Sequence, residues 1–382
     1  MKILLLSAYA AQSHVQWRRG LRAMLPEIEW QVLELPPRHF SWRVRGNALY
    51  WALQERDLLS GGYDLVLATS MVDLATLRGL VPTLCTTPAI LYFHENQFDY
   101  PRQQRQHSLL EAQMVSLYSA LAADSLLFNS NYNRESFLDG CEHLLGRLPD
   151  KVPPGVVALL REKSAVLPVA IDRDLLAKAS PAWPGTASGT PGKPLRIVWC
   201  GRFEYDKGAQ GLLPILQQLE RQQCEYELSL VGQQFRNLPP VFADIQREFP
   251  HRLVHCGYLA EAGDYHALLC GADVVLSTSL HEFQGLAVLE AVAAGCIPVV
   301  PDRLAYREIY PEEYRYPSLP GNPLSEARGA VQLLLRITDS VNNGTVRPPD
   351  VSTFDRRNLG PRYLEEFTGL ALSLIHISEP TR

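Results

Sequence analysis

One pattern, written twice, constrains this 382-residue chain more than anything else. Apolar runs of strand length alternate with longer amphipathic stretches, stop at a segment without periodicity, and then resume. In the first half the strand candidates are Lys2–Ser7, Trp30–Leu35, Asp64–Ala68, Ala89–His94, Ser125–Asn129 and a run near Ala165–Val169. Helical patterns such as Leu109–Ala122 lie between them. Strands spaced by helical segments imply βαβ units and a parallel sheet with helices on both faces. After the interruption come Arg196–Cys200, Glu227–Val231, Leu253–Cys256, Val274–Thr278 and Ile297–Val300. The interruption itself, KASPAWPGTASGTPGKP (178–194), is rich in Pro, Gly, Ser and Thr and reads as an interdomain linker.

The expected fold class is therefore α/β, with two doubly wound, Rossmann-like domains at 1–177 and 195–352. The closing stretch 353–371, which contains PRYLEEFTGLA, looks helical and is expected to pack back on the first domain. Ligands of open α/β sheets bind at the carboxyl edges of the strands, so a cleft between two such edges is the expected site. The last residues, LSLIHISEPTR (372–382), fit nothing before them and look like a sequencing adapter translated in frame. They are treated as a non-native tail.

Composition narrows the class. The chain is long for one core, and its 46% apolar content is ordinary for a globular protein. No apolar run reaches the length of a membrane span. MKILLLSAYA at the start reads as a buried first strand rather than a signal peptide, because polar Gln12, Ser13 and His14 follow at once. Seven cysteines without a Cys-x-x-Cys pair argue against zinc or a disulfide framework and for a reduced, cytoplasmic setting. The net charge of −5 gives no global footprint for nucleic acid. Basic residues nonetheless cluster: Arg18, Arg19 and Arg22; Arg38, Arg43 and Arg45 around Phe40 and Trp42; and Arg102, Arg105 and His107. A dehydrogenase is disfavoured, since no G-x-G-x-x-G follows the first strand.

HEFQGLAVLE (281–290) sets two glutamates eight positions apart. With a strand ending at Thr278 and a helix from near Gly285 to Ala294, Glu282 falls in the loop and Glu290 inside the helix. Between them lie the amides of Gly285, Leu286 and Ala287 at the helix N-terminus, a natural diphosphate site. A carboxylate on either side suits the hydroxyls of a nucleotide sugar. A solvated loop Glu and a surface helix Glu would give the same spacing, so context decides. CGRFEYDKG (200–208) supplies it: Gly201, Arg202 and Lys207 leave the first strand of the second domain at the same edge, where two cations would neutralise a diphosphate leaving group. Gly232 in LVGQQ marks a close-approach point, a weak signal alone.

Gly-Arg-x4-Lys followed by Glu-x7-Glu resembles the donor site of retaining family-four glycosyltransferases of the GT-B fold. The resemblance implies that Arg202 and Lys207 hold the diphosphate. It implies that Glu282, Phe283 and the adjacent backbone hold the donor sugar, and that Glu290 binds the ribose. FSWRVRGNALYW (40–51), ILYFHENQFDYP (90–101) and LLFNSNYNRESFL (126–138) further resemble the tRNA-queuosine mannosyltransferases, over nearly the whole chain to about residue 371. That family implies GDP-mannose as donor and the queuosine wobble nucleoside of an aspartate tRNA as acceptor. One departure stands out: the family usually has glycine before Ser-His in the first loop, where this chain has Ala11 and Gln12, and a Gln12 side chain can crowd the donor phosphate. Ser13 and His14 still match.

The N-terminal motifs carry candidate acceptor groups. His94, Glu95, Asn96 and Gln97 leave a strand at the edge, with His94 also a candidate catalytic residue. Trp42, Arg43 and Arg45 mix cation and aromatic character suited to unpaired bases, although a half-buried segment with solvated arginines reads the same way. Asn129, Ser130 and Tyr132 could line the site or cap the next helix. No motif offers a carboxylate nucleophile for double displacement, and the family implies front-face transfer in which the departing diphosphate takes the acceptor proton. No metal or other cofactor is expected, the two cations standing in. Two other readings stay open: a family-four transferase acting on an envelope glycan or metabolite, and a non-catalytic nucleotide- or RNA-binding relative.

Overall fold

The structure, a computed structural model, describes residues 1–99, 109–185, 193–235 and 238–378. Arg102, Arg105 and His107 lie outside the described residues, as does the middle of the expected linker, 186–192. The chain forms two compact units, Met1–Ala170 with Arg356–Arg382, and Ile171–Asp355.

The first unit is built on a six-stranded parallel sheet: β1 (Lys2–Ser7), β2 (Glu29–Glu34), β3 (Leu65–Thr69), β4 (Ala89–Phe93), β5 (Ser125–Phe128) and β6 (Ser164–Val166), in the order β2-β1-β3-β4-β5-β6. β3 and β4 are buried at every position, as expected of strands covered by helices on both faces. Helix α1 (Gln12–Met24) follows β1, and α2 (Phe40–Gln54) follows β2. The C-terminal helix Arg356–Ser378 returns to this unit. Its Tyr363 hydroxyl accepts from the Trp17 indole (3.1 Å) and donates toward the Pro168 carbonyl (2.9 Å). The helix continues to Ser378, into the stretch expected as a non-native tail.

The second unit repeats the plan with β7 (Leu195–Cys200), β8 (Tyr226–Val231), β9 (Leu253–Gly257), β10 (Val274–Leu276), β11 (Ile297–Pro301) and β12 (Arg315–Tyr316), in the order β12-β11-β10-β7-β8-β9. Apolar clusters cover both faces of the sheet, one around Trp199, Phe203 and Leu216, the other around Val198, Leu289 and Tyr306. β12, two residues long, has too little apolar pattern to be seen in sequence.

The division between units falls at 170/171, seven positions before the expected 177. Ile171 accounts for the shift: its amide bonds to the Phe354 carbonyl at 2.9 Å, and Leu176 on the helix Arg173–Lys178 is buried in the second unit's core. The described start of the expected linker is also packed rather than free. Ala182 donates to Ala267 at 2.9 Å, and the Trp183 indole donates to Glu227 at 2.6 Å.

Candidate active site

In a parallel sheet every strand delivers its following loop to one edge, so residues far apart in sequence meet there. In the second unit the loops after β7 and β10 are stitched together. Leu280 and His281 amides both donate to the Asp206 carbonyl, at 2.9 and 3.1 Å. The Trp199 indole donates to Thr278 Oγ1 (3.0 Å), which donates in turn to the Lys207 carbonyl (3.0 Å). The CGRFEYDKG and HEFQGLAVLE motifs therefore form one surface.

Lys207 is its centre. Nζ lies 2.7 Å from Glu282 Oε2, while Glu282 Oε1 accepts the Gly285 amide at 3.0 Å. Burial pushes the Glu282 carboxyl up, but Lys207 and the Gly285 amide more than offset it and hold the group below its ordinary range. Gly285 caps the helix Leu286–Ala293 at φ 76°, ψ 48°, a left-handed conformation that a side chain would strain. A Cβ there would also sit 2.8 Å from the Tyr306 ring. The expected anion site thus needs one correction. The Gly285 amide is committed to Glu282, which leaves Leu286 and Ala287 in the first turn, where the helix supplies no carbonyl partner. Phe283 is buried, its ring meeting His281 edge to face at 4.5 Å.

Arg202 is half-exposed and paired with Glu204 (3.0 Å) and Asp206 (3.1 Å). Burial, together with Asp206 and against the pull of Arg202 and Lys207, raises the Glu204 carboxyl. Gly201 and Gly232 end neighbouring strands so closely that a Cβ on Gly232 would meet the Gly201 carbonyl oxygen at 1.8 Å. Glu290 stands on the helix with its Oε2 accepting from the Tyr265 hydroxyl at 3.1 Å. Burial lifts its carboxyl to about 7, with the Tyr265 hydrogen bond pulling the other way.

Three residues here escaped the sequence reading. Glu204 and Asp206 were inside a quoted motif, but nothing in their spacing says they would face Arg202. Arg303 has no local signal at all. Its guanidinium donates to the Ser279 and Thr278 carbonyls (2.8 and 3.2 Å) and to Glu326 (2.8 Å), pinning the loop that carries Glu282.

The first unit gathers its own group at the carboxyl edge. His14 on α1 stacks on His94 after β4, with ring centroids 4.2 Å apart, and its Nε2 lies 3.3 Å from Glu95 Oε2. Both imidazoles are buried, and neither His14 Nδ1 nor His94 Nε2 has a hydrogen-bond partner. Trp17 meets His94 edge-on at 4.6 Å and stacks on Tyr92 at 4.5 Å. Burial, and then the neighbouring His14, hold His94 well below the ordinary imidazole range. Gln12 opens α1 as an exposed first residue, and Ser13 is half-buried behind it.

Other expected acceptor residues turn inward. Asn96 donates to Asn133 Oδ1 and Ser136 Oγ (both 2.9 Å) while its Oδ1 accepts the Phe98 and Asp99 amides. Asn129 donates to the His94 carbonyl (2.9 Å) and accepts from Asn133 (2.8 Å). Gln97 is buried beside Met71. These side chains hold the loop behind His94 together. Ser130 caps the helix Asn131–Leu145 through the Asn133 amide (3.0 Å), the alternative role considered for it. Trp42, Arg43 and Arg45 lie on the first two turns of α2.

Comparison with known proteins decides the family. Residues 2–171 match the family described as tRNA-queuosine alpha-mannosyltransferase N-terminal, and residues 194–334 match glycosyl transferases group 1. The chain is 32% identical over 368 residues to a Drosophila melanogaster tRNA-queuosine alpha-mannosyltransferase, covering 96% of each. The chain belongs to the tRNA-queuosine alpha-mannosyltransferase family. A GDP-mannose:cellobiosyl-diphosphopolyprenol alpha-mannosyltransferase of Xanthomonas oryzae pv. oryzae is 24% identical over 204 residues, 52% of each chain. Among solved structures, Anabaena Alr3699/HepE in complex with UDP and glucose aligns with a TM-score of 0.68 at 16% identity, covering 97% of this chain and all of that one. A Rickettsia africae glycosyltransferase aligns with a TM-score of 0.65 at 14% identity, covering 97% and 98%. The fold is thus GT-B, and the chain is a glycosyltransferase. Among the described residues no group of His, Cys, Asp or Glu is arranged to hold a metal, and no helix is long and apolar enough to cross a membrane.

Proposed function

We propose that this protein transfers mannose from GDP-mannose to the queuosine of a tRNA, with retention of configuration. The observation that carries the reading is likeness to the fly enzyme along the whole chain rather than over the donor unit alone. The half-length match to a GDP-mannose enzyme is in keeping with the donor. The compartment that fits such an acceptor is the cytoplasm.

In this reading the diphosphate is held by Lys207, by Arg202 and by the amides of Leu286 and Ala287. Charge develops on the leaving GDP as the glycosidic bond breaks, and fixed cations and amides stabilise that charge without reorganising. Arg202 is itself half-exposed and shares its guanidinium between partly exposed Glu204 and buried Asp206, so phosphate would compete with Glu204 in particular. Glu282, anchored at both oxygens, orients the sugar and is not a free nucleophile. That supports front-face attack, with the departing phosphate oxygen taking the acceptor hydroxyl proton. Glu290 accepts from the ribose hydroxyls. His14, His94 and Glu95 are the acceptor-side groups.

The test is a donor and acceptor matrix. GDP- and UDP-hexoses are each incubated with queuosine-containing tRNA, queuosine-free tRNA and polyprenyl diphosphates, and released nucleotide is measured. Release that requires both GDP-mannose and queuosine-containing tRNA supports the proposal. Release with the lipid alone moves the protein to another acceptor.

A further inference from the structure

The exposed face of α2, which carries the acceptor candidates Trp42, Arg43 and Arg45, belongs neither to the cluster around Lys207 nor to that around His94. Trp42 on its first turn is 59% exposed, and Leu49, Tyr50 and Leu53 continue the exposed side of the helix. An indole that exposed would ordinarily sample several rotamers. Here its six-membered ring lies against the backbone one turn on: a Cβ on Gly46 would sit 2.4 Å from Trp42 Cε2 and 2.6 Å from Cζ2. Gly costs a helix interior stability relative to Ala, so its presence at a fully helical position calls for a reason, and the ring is that reason. The missing side chain lets the indole lie flat with one π-face held and the other in solvent.

The charge carried by the α2 segment itself has one sign. From Arg38 to Gln54 the chain has three arginines and no Asp or Glu. Arg45 is occupied by Asp73 (2.7 Å) and Glu111 (3.4 Å), which fasten the helix to its neighbours. Arg43 is half-buried, and its Nε is shielded from solvent without a hydrogen-bond partner. Position ties this face to the acceptor edge. Phe40, at the start of α2, meets Tyr9 edge-on at 6.0 Å, and Tyr9 sits in the loop between β1 and the α1 that carries His14.

We infer that the first two turns of α2 are the docking strip for the tRNA, with the Trp42 indole, laid flat by Gly46, as a stacking platform for an unpaired base of the acceptor's loop and Arg43 as a phosphate contact. A flat, sequence-tolerant ring beside a cation is how proteins hold splayed-out bases. The inference rests on the tRNA reading above. A second copy of the chain is the competing occupant; the α2 segment has no acidic residue of its own to meet the arginines of such a copy, and the neighbouring Glu111 is paired with Arg45, which favours the polyanion.

The experiment compares full-length wild type with Trp42→Ala, Trp42→Phe, Gly46→Ala and Arg43→Ala, measuring tRNA affinity across salt, GDP affinity and oligomeric state. Trp42→Ala is expected to weaken tRNA binding about 5- to 150-fold with GDP affinity unchanged, while Trp42→Phe retains most of it. Gly46→Ala keeps the indole but lifts it off the helix, and should also lose tRNA affinity, although Ala is the better helix former. Arg43→Ala should lower the salt slope by about one. Wild-type tRNA affinity in both Trp42→Ala and Gly46→Ala overturns the inference. So does a wild-type dimer that Trp42→Ala dissociates with tRNA affinity intact. If wild type binds no tRNA at all, the acceptor reading itself falls, a result distinct from either.

Discussion

Lys207 Nζ and Glu282 Oε2 are 2.7 Å apart although 75 positions separate them in the chain. The pair joins the loops after two strands, and in the proposed reading the diphosphate rests beside it. Lys207→Ala leaves a partly buried carboxylate without its cation and removes charge stabilisation from the leaving group. The expected loss is about 100- to 1000-fold in kcat/KM for the donor, the scale of losing one preorganised donor in an active site. Steady-state kinetics check it; a change below a few-fold would remove Lys207 from the site.

Glu290 gives a pH dependence with opposite signs for stability and binding. Its carboxyl titrates near 7 in the folded protein and near 4.5 when unfolded. The folded state therefore holds the extra proton between those values, and this contribution to stability, full below about 4.5, is lost as pH rises through about 7. In the proposed reading the Glu290 carboxylate accepts from the ribose, so GDP affinity should rise over the same window. Glu290→Gln should weaken GDP binding strongly and abolish its rise across pH 6–8; GDP titrations at several pH values decide.

His94 works in the other direction. Its folded value lies well below the ordinary 6.5. The unfolded chain takes up the proton first as pH falls, so the stability contributed by neutral His94 is present above about 6.5 and lost below it. Urea midpoints measured from pH 7.5 to 5 should fall for wild type and fall less for His94→Gln. Parallel curves would mean that the ring is not held neutral.

In the proposed reading Glu204, 3.0 Å from Arg202, competes with phosphate for it. Glu204→Gln should leave the fold intact and keep or tighten GDP binding by a few-fold. Calorimetric titration with GDP checks this, and a large loss would make Glu204 a ligand-binding group instead.

At Gly232 a methyl group has nowhere to go, because the obstacle is the Gly201 backbone carbonyl at 1.8 Å and not a flexible side chain. Gly232→Ala should cost about 1–3 kcal/mol of stability, as overpacking does, and disturb the edge that carries Arg202. Thermal unfolding with and without GDP measures both.

How far the sequence reaches can be judged element by element. Lys2–Ser7 was legible to the residue because a run of apolar side chains ending at Ser7 has no other use than a buried strand. Glu282 and Glu290 were placed in loop and helix because Gly285 and the apolar period after it mark a helix start. What Glu282 holds was not legible: its partner lies in another loop, and the Gly285 amide that seemed free is its second partner. The inward turn of Asn96 and Asn129 was hidden for the same reason, since both bond to Asn133, which only the fold brings near. The His14–His94 stack joins residues 80 positions apart and leaves no local trace. Periodicity reports which face is buried; it says nothing about which polar group a buried face will meet.

The account is tested most directly by nucleoside mass spectrometry of tRNA after incubation of the purified protein with GDP-mannose and queuosine-containing tRNA. A single hexose added to queuosine, absent with Lys207→Ala, is the predicted result. Unmodified queuosine in the presence of protein that binds GDP-mannose would contradict it and leave the donor site without this acceptor.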